Sequence, residues 1–398
     1  MKLIVKFLLI IFLFQPAPGT AQQHKYDIYG YVKYMFSTTK MPAVTQRLND
    51  HLLHARINTR WYPTPNLTGA VEFRLRGFYG GSVKYMPGFS EWIKDNYEYS
   101  NLDAQLWKSG SSLGYAQIDR LNLDYTAGNL QITAGRQRIA WGTALVWNVT
   151  DLFNPKSILD FDYEEKPGSD ALRAQFYTGA VAKIEAGFKP GKRRYTRTVA
   201  GLWSFNKAGY DFFVIAGVKN NRKVLGGAWA GDIAGAGFRG EFIFSEAPEK
   251  SKTAAFPLPA MFGGSLTAGT KSTTHFVLSG DYTFSNSFYI HSELLFNSNG
   301  KKKNAGLFYY QAQQIGMLSP ARWSLFQEFT YDITPLVRGS VFGIFNPNDR
   351  SIVVLPSVTW SAATNLDMLL IGFLTAGDRF TEFGEFGNSL FIRFKYSF

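Results

Sequence analysis

Five arginines stand on alternating positions over a stretch of about seventy residues: Arg56 and Arg60, then Arg74 and Arg76, then Arg120. A guanidinium stays charged at physiological pH and grips a carboxylate or phosphate through a planar fork. If the segments that carry these residues are neighbouring β-strands, spaced ~4.8 Å apart, the side chains form one cationic wall patch suited to an anion in transit. Glu72, Asp119 and Asp124 lie close in sequence. The same arginines are therefore compatible with a structural arginine–carboxylate network that holds a wall against its own repulsion. The two roles can coexist, because a charge-lined constriction is one way to set selectivity.

Catalytic readings are weaker. The five histidines are His24, His51, His54, His275 and His291, and none has a metal-ligand spacing such as His-x-x-x-His. His291 and Glu293 share one strand face, as do His275 and Asp281, so a His–carboxylate pair with Ser279 or Ser292 can be drawn. A histidine on a polar wall is more simply a hydrogen-bonded wall residue. Gly226-Gly227 and Gly235-Ala236-Gly237 lack both the spacing of a phosphate loop and a following helix, and fit close-packed strand positions. The chain has no cysteine. Neither an enzyme nor a metal or cofactor site is expected.

The elements that must position the arginines are strands. In 51–61, Leu53, Ala55, Ile57, Thr59 and Trp61 alternate with His54, Arg56, Asn58 and Arg60. In 67–79, Leu67, Val71, Phe73 and Leu75 oppose Glu72, Arg74 and Arg76. A period of two sends these sets to opposite faces of a sheet. The C-terminal segment has the same pattern, with Leu390, Ile392, Phe394, Tyr396 and Phe398 against Ser389, Arg393, Lys395 and Ser397. An aromatic chain end would fray in water, whereas in lipid it is a natural outer face with a polar lumen behind it. Arg or Lys facing mid-bilayer lipid costs roughly 2–4 kcal/mol, so the polar set faces inward.

Comparable segments recur at 25–36, 51–61, 67–79, 115–126, 130–139, 170–178, 181–189, 195–206, 210–219, 222–231, 234–245, 271–284, 287–298, 320–332, 335–346, 350–362, 364–376 and 388–398. The expected fold is all-β: a transmembrane antiparallel β-barrel of about 18 strands, with 16 as the alternative. Turn-type residues at Pro63–Asn66, Ala127–Asn129, Asn206–Gly209, Ser285–Ser287, Asp332–Pro335 and Ala362–Asn365 alternate with long connections at 37–50, 80–114, 142–169, 246–270, 299–319 and 377–387. Barrels of this class have short periplasmic turns and long extracellular loops; a soluble sandwich lacks that asymmetry. Two strands break the pattern. Arg136 and Arg138 share parity with Leu130, Ile132 and Ala134, which demands a bulge near Gly135 or an exit towards lipid. Strand 364–376 is apolar on both faces, as expected if it packs against a loop inserted in the barrel.

The N-terminus agrees with export. Lys2 and Lys6 precede an apolar run from Phe7 to Phe14, which Pro16, Pro18 and Gly19 end. Residues 1–21 read as a cleavable signal peptide, cut after Ala21, and 22–398 as one barrel domain. Removing Lys2 and Lys6 leaves 40 basic against 30 acidic residues. These charges alternate with apolar residues instead of clustering, so nucleic acid is not the expected partner. The 35 Phe, 21 Tyr and 9 Trp suit aromatic girdles at two membrane interfaces. Outer-membrane lipid is an expected partner, and the oligomeric state is open.

One stretch carries a further signal: Gly135-Arg136-Gln137, Trp141-Gly142, then Asp151 and Asn154-Pro155, followed by Gly168-Ser169-Asp170-Ala171-Leu172-Arg173. Over roughly residues 130–180 the chain resembles porin-like outer-membrane proteins of unassigned function, distantly similar to alginate-export porins. The terminal Phe398 strand likewise resembles the signal read by the barrel assembly machinery. Loops as long as 142–169 are functional or disordered, and Trp141, Leu145, Val146, Trp147, Leu152 and Phe153 make this one too apolar for disorder. It is expected to fold into the pore as a constriction loop through Trp141, Trp147, Asp151 and Asn154. Asp151, Asp160, Asp162, Glu164 and Glu165 would then face the arginines; a cap on the barrel rim is the alternative. Loop 80–114, with Tyr85, Phe89, Trp92, Tyr97, Tyr99 and Trp107, suits either an aromatic contact surface or an interface anchor.

The expected function is a passive channel for small, anionic solutes, lined by Arg56, Arg60, Arg74, Arg76, Arg120 and Arg136. An export outlet for an acidic polysaccharide and a loop-plugged surface receptor or structural barrel are the alternatives.

Overall fold

The computed structural model describes residues 25–42, 45–94, 98–154, 164–192, 196–247, 255–256, 266–267, 271–309, 312 and 317–398. The expected signal peptide, 1–21, lies outside the described residues. Eighteen strands form the wall: β1 Tyr26–Lys40, β2 Leu48–Thr64, β3 Leu67–Gly80, β4 Ser112–Ala127, β5 Leu130–Gln137, β6 Ser169–Tyr177, β7 Lys183–Lys189, β8 Thr198–Lys207, β9 Tyr210–Lys219, β10 Arg222–Ile233, β11 Ala236–Ser245, β12 Thr273–Thr283, β13 Phe288–Asn297, β14 Trp323–Thr334, β15 Val337–Asn346, β16 Ser351–Ala363, β17 Leu366–Ala376 and β18 Asn388–Ser397. Each pairs antiparallel with the next, and β18 pairs with β1 through Tyr31–Ser397 to Lys40–Asn388, so the sheet closes. The chain end is tied down: Phe398 and Gly30 exchange backbone hydrogen bonds of 2.9 and 3.0 Å.

The expected strands and their count hold, and the connections segregate as expected. One end of the barrel carries turns of two to five residues, such as 65–66, 128–129 and 364–365. The other carries the long segments 81–111, 138–168, 246–272, 298–322 and 377–387. The first connection is shorter than expected, 41–47, because Thr38 and Thr39 extend β1 against Asn49 and Leu48.

Alternation decides the faces. Leu53, Ile57, Leu121, Leu172, Leu225, Leu325 and Leu370 are exposed on the outer surface, an apolar belt far larger than soluble monomers tolerate. Near the turn end, Tyr26, Trp61, Tyr125, Phe176, Tyr331, Trp360 and Tyr396 ring the belt, and such rings sit at lipid headgroup level. Inside, two apolar clusters fill part of the lumen. One joins Trp147 to Val277, Leu295, Phe326, Ile344, Val353, Leu355, Ile371, Phe373 and Phe383; the other joins Ile139, Trp141, Leu152 and Phe153 to Ala171, Leu202, Ile215, Val224 and Ile243. The inner face of the two-sided strand β17 is thereby explained: Ile371 and Phe373 pack against inserted loops.

Candidate functional site

The arginine ladder occupies neighbouring strands, and most of it is engaged within the wall. Arg56 on β2 stands directly opposite Arg74 on β3, and His54 opposite Arg76. Like charges in that position repel. Relief comes from Asp119 on β4, which accepts from Arg56 Nη1 and lies 3.6 Å from Arg74 Nε. Asp119 reaches both because β4 bulges there: Glu72 pairs with Arg120, yet the adjacent Phe73 pairs with Ile118. The extra residue of a bulge re-aims side chains. Glu72 joins Arg56 (2.5 Å) to Arg60 (2.6 Å), and Arg74 donates to Gln117 Oε1. Arg56 and Arg74 are buried, whereas Arg60, Arg76 and Arg120 keep intermediate exposure. Arg76 donates to the Ile93 carbonyl (3.2 Å) and lies over the Phe78 and Tyr115 rings. Arg120 donates to the carbonyls of Asp119 and Lys166.

The irregularity of β5 is resolved at Gly135, whose φ of +112° leaves no room for a Cβ beside the Leu121 carbonyl. This backbone rotation, open to glycine alone, turns Arg136 inward onto Asp170 at 2.8 and 3.1 Å. Gln137 then clasps the carbonyls of Thr133 and Ala171, and the chain leaves the wall. A strand from the preceding loop, Asp103–Ser109, pairs with β4 above this point, so the sheet continues where β5 has departed.

From residue 138 the chain runs into the lumen. Arg138 binds Asp151 and the Asn154 carbonyl. Asp151 Oδ1 accepts from the amides of Trp141 (2.7 Å) and Gly142 (3.0 Å), and Asn154 links Ile139 to Ser169. Trp141, Trp147, Asp151 and Asn154 are all buried. The arrangement is an inward-folded loop, not a cap at the rim.

Sequence reasoning missed what holds it there. Glu241 on β11 accepts from the amides of Thr143 (2.5 Å), Ala144 (2.7 Å) and Thr150 (3.0 Å). Glu293 on β13 accepts from those of Leu145 (2.7 Å), Val146 (2.9 Å) and Trp147 (3.0 Å). Glu185 on β7 takes the Trp141 indole N–H at 2.7 Å and pairs with Arg173 and Lys183. Carboxylates accepting several N–H bonds form strong anchors. Their one visible signal was inward parity beside apolar neighbours such as Ile243 and Leu295.

The loop returns along the charged side. Glu164 meets Arg393 (2.8 Å) and Lys395 (2.6 Å), with Lys33 at 3.8 Å. Glu165 accepts from the Tyr31 hydroxyl (2.9 Å) and lies 3.7 Å from Arg56. Asp151 faces Arg138, and Asp160 and Asp162 lie outside the described residues. Of the candidate catalytic set, His291 Nε2 lies 3.2 Å from Ser279 Oγ and 3.3 Å from Glu293, and Glu328 lies 3.5 Å from Nδ1. Ser279 and His291 are each only 1% exposed. Among the described residues no cluster of potential metal ligands occurs.

The closed, antiparallel 18-stranded barrel is a porin-like fold. Solved outer-membrane porins share it. OccAB1 of Acinetobacter baumannii aligns with a TM-score of 0.55 at 9% identity, over 96% of this chain and 99% of that one. OccAB2 of the same organism gives 0.56 at 7%, covering 94% and 98%. OccD3 of Pseudomonas aeruginosa gives 0.53 at 7%, covering 96% and 93%. No family model matches the chain, and no curated relative does.

Proposed function

We propose that the protein is an outer-membrane channel, exported by the cleavable segment 1–21, that passes small anionic solutes along the arginine-bearing side of its lumen. Outer-membrane lipid and the barrel assembly machinery are its expected partners. The observation that carries this reading is the asymmetry of the interior. Apolar loop side chains pack against β6–β17, whereas β18 and β1–β5 carry the partly exposed cations Lys395, Arg393, Arg60, Arg76 and Arg120. A solute moving along that side meets weak, repeated cationic contacts, which let it enter and leave. Arg60, Arg76 and Arg120 would make most of them, with Arg56, Arg74 and Arg136 setting the field from within the wall. The loop carrying Trp141, Trp147, Asp151 and Asn154 narrows the passage from the opposite side.

Single-channel recording of refolded protein in a salt gradient tests this. Ohmic current with anion preference is expected, and replacing Arg60, Arg76 and Arg120 by Gln should lower the anion-to-cation permeability ratio. Cation preference in the wild type would overturn the reading. The buried loop also favours a second possibility, a plugged barrel acting as a receptor or structural protein. Absence of current from a folded, heat-modifiable barrel would select it. An outlet for acidic polysaccharide draws on the motif around Gly135–Asn154, and passage of a polyuronate through the channel would be its signature.

A further inference from the structure

We infer that His291 is a titratable clasp on the inward loop: charged, it holds Glu293 against the amides of Leu145, Val146 and Trp147, and loss of its proton loosens the loop and widens the passage. This rests on the channel reading and adds a regulation of that same loop.

Three wall carboxylates anchor the loop, and they differ in what balances their charge. Glu185, which takes the Trp141 indole, is paired with Arg173 and Lys183, both cations throughout the physiological range. Glu241 is satisfied by N–H groups of the loop and by the Thr150 hydroxyl at 2.7 Å. Glu293 is buried and has one ion-pair partner among the described residues, His291, whose Nε2 lies 3.3 Å from Oε1. That same oxygen accepts from the amides of Leu145 and Val146. The counter-charge of this anchor is thus carried by the one side chain that ordinarily titrates near neutrality. A buried carboxylate that loses its partner is left as an uncompensated charge, and the bonds it accepts weaken with it.

The groups around His291 all bear on its charge. On β14, Glu328 is its cross-strand partner and lies 3.5 Å from Nδ1. On β12, Asp281 is the cross-strand partner from the other side, and Ser279 Oγ stands 3.2 Å from Nε2. Asp281 is itself tied to Arg239 of β11, and Tyr289 shares the inner face of β13. Glu241 on β11 holds the adjoining loop amides, and Lys166 on the returning loop acts on Glu241 and Glu293 at longer range. Glu328 keeps 27% exposure, so a proton reaches the buried ring through it. The imidazole also packs 5.1 Å from the Phe326 ring, which meets Trp147 at 6.3 Å. Carboxylate and ring contacts therefore both run from His291 to Trp147.

Residue-resolved hydrogen exchange of the full-length, detergent-solubilised barrel, followed from neutral to alkaline pH, reads this without requiring conductance. Protection factors, which remove the intrinsic base catalysis of exchange, should fall roughly tenfold at Leu145, Val146 and Trp147 in a single one-proton step. His291→Gln should show the lowered protection already at neutral pH, with no step. Should that variant fail to fold, Glu293→Gln keeps an acceptor oxygen and should likewise erase the step. A wild type without the step, or a step that persists in either variant, would overturn the clasp. Single-channel conductance should rise across the same step in the wild type and stay level in His291→Gln. A protection step in a barrel that passes no current would uphold the clasp and remove the channel reading beneath it. A conducting barrel whose loop protection is flat with pH would sink the clasp and leave the channel reading standing.

Discussion

The inner faces of β18 and β1–β5 and those of β6–β17 bury polar groups inside the same barrel by different means. On the first, charge is matched by charge across strands: Arg56 and Arg74 share Asp119, and Glu72 spans Arg56 and Arg60. On the second, wall carboxylates accept backbone amides of a loop, and apolar side chains seal the contact. The first face keeps partly exposed cations, while the second resembles the core of a soluble domain. The proposed passage therefore follows the charged side, and stability is drawn more evenly from both.

The comparison breaks most sharply at Asp119. Its loss leaves two buried arginines face to face, and removing one partner of a buried ion pair costs about 3–5 kcal/mol. Asp119→Ala should lower the urea midpoint for unfolding from lipid vesicles, read by the heat-modifiable gel shift, by the equivalent of that amount. An unchanged midpoint would mean that Glu72 alone can compensate the pair, and the charged face would be a lining without structural weight.

On the other face the corresponding cut is Glu241→Ala. It strips the acceptor from three loop amides, each worth about 1 kcal/mol net. Hydrogen exchange at Thr143, Ala144 and Thr150 should quicken by roughly 100-fold, with a rise in conductance as the loop loosens. Glu241→Gln, which keeps an acceptor oxygen, should do much less. Fast exchange without a conductance change would place the narrowest point elsewhere than this loop.

How much of this could be read from the chain follows from the range of the interactions. Strand positions were legible because alternation such as Leu53–Arg56–Ile57–Arg60 is local and lipid enforces it. The inward loop was legible because Trp141, Trp147 and Phe153 are too apolar to face water. The odd parity of Arg136 marked a real distortion, though its cause is the backbone of Gly135 together with a bulge on the neighbouring strand at Asp119. What stayed hidden was pairing across the lumen. Nothing in the spacing says that Glu241 and Glu293 meet amides about a hundred and a hundred and fifty residues away, or that strand Asp103–Ser109 fills the wall above β5. The arginines could be named and placed together, while their division into buried and partly exposed members depends on register.

The smallest effect expected is local and tests whether the sealed side is sealed by neutrality. Glu382, in the loop 377–387, is held by Ser319 Oγ (2.8 Å) and Asn346 Nδ2 (3.0 Å), next to the buried Phe383. Burial, aided by nearby Asp349, pushes its carboxyl up to about 8. A carboxyl raised on folding favours the folded loop fully below its ordinary value of 4.5, and that contribution is lost as pH rises through about 8. Because the chain has no cysteine, a dye on Arg379→Cys reports this loop alone. Its fluorescence anisotropy should fall between pH 6 and pH 9, by roughly the span of a single titration, and Glu382→Gln should hold it level. The same fall in Glu382→Gln would assign the transition to another group and leave this anchorage insensitive to charge.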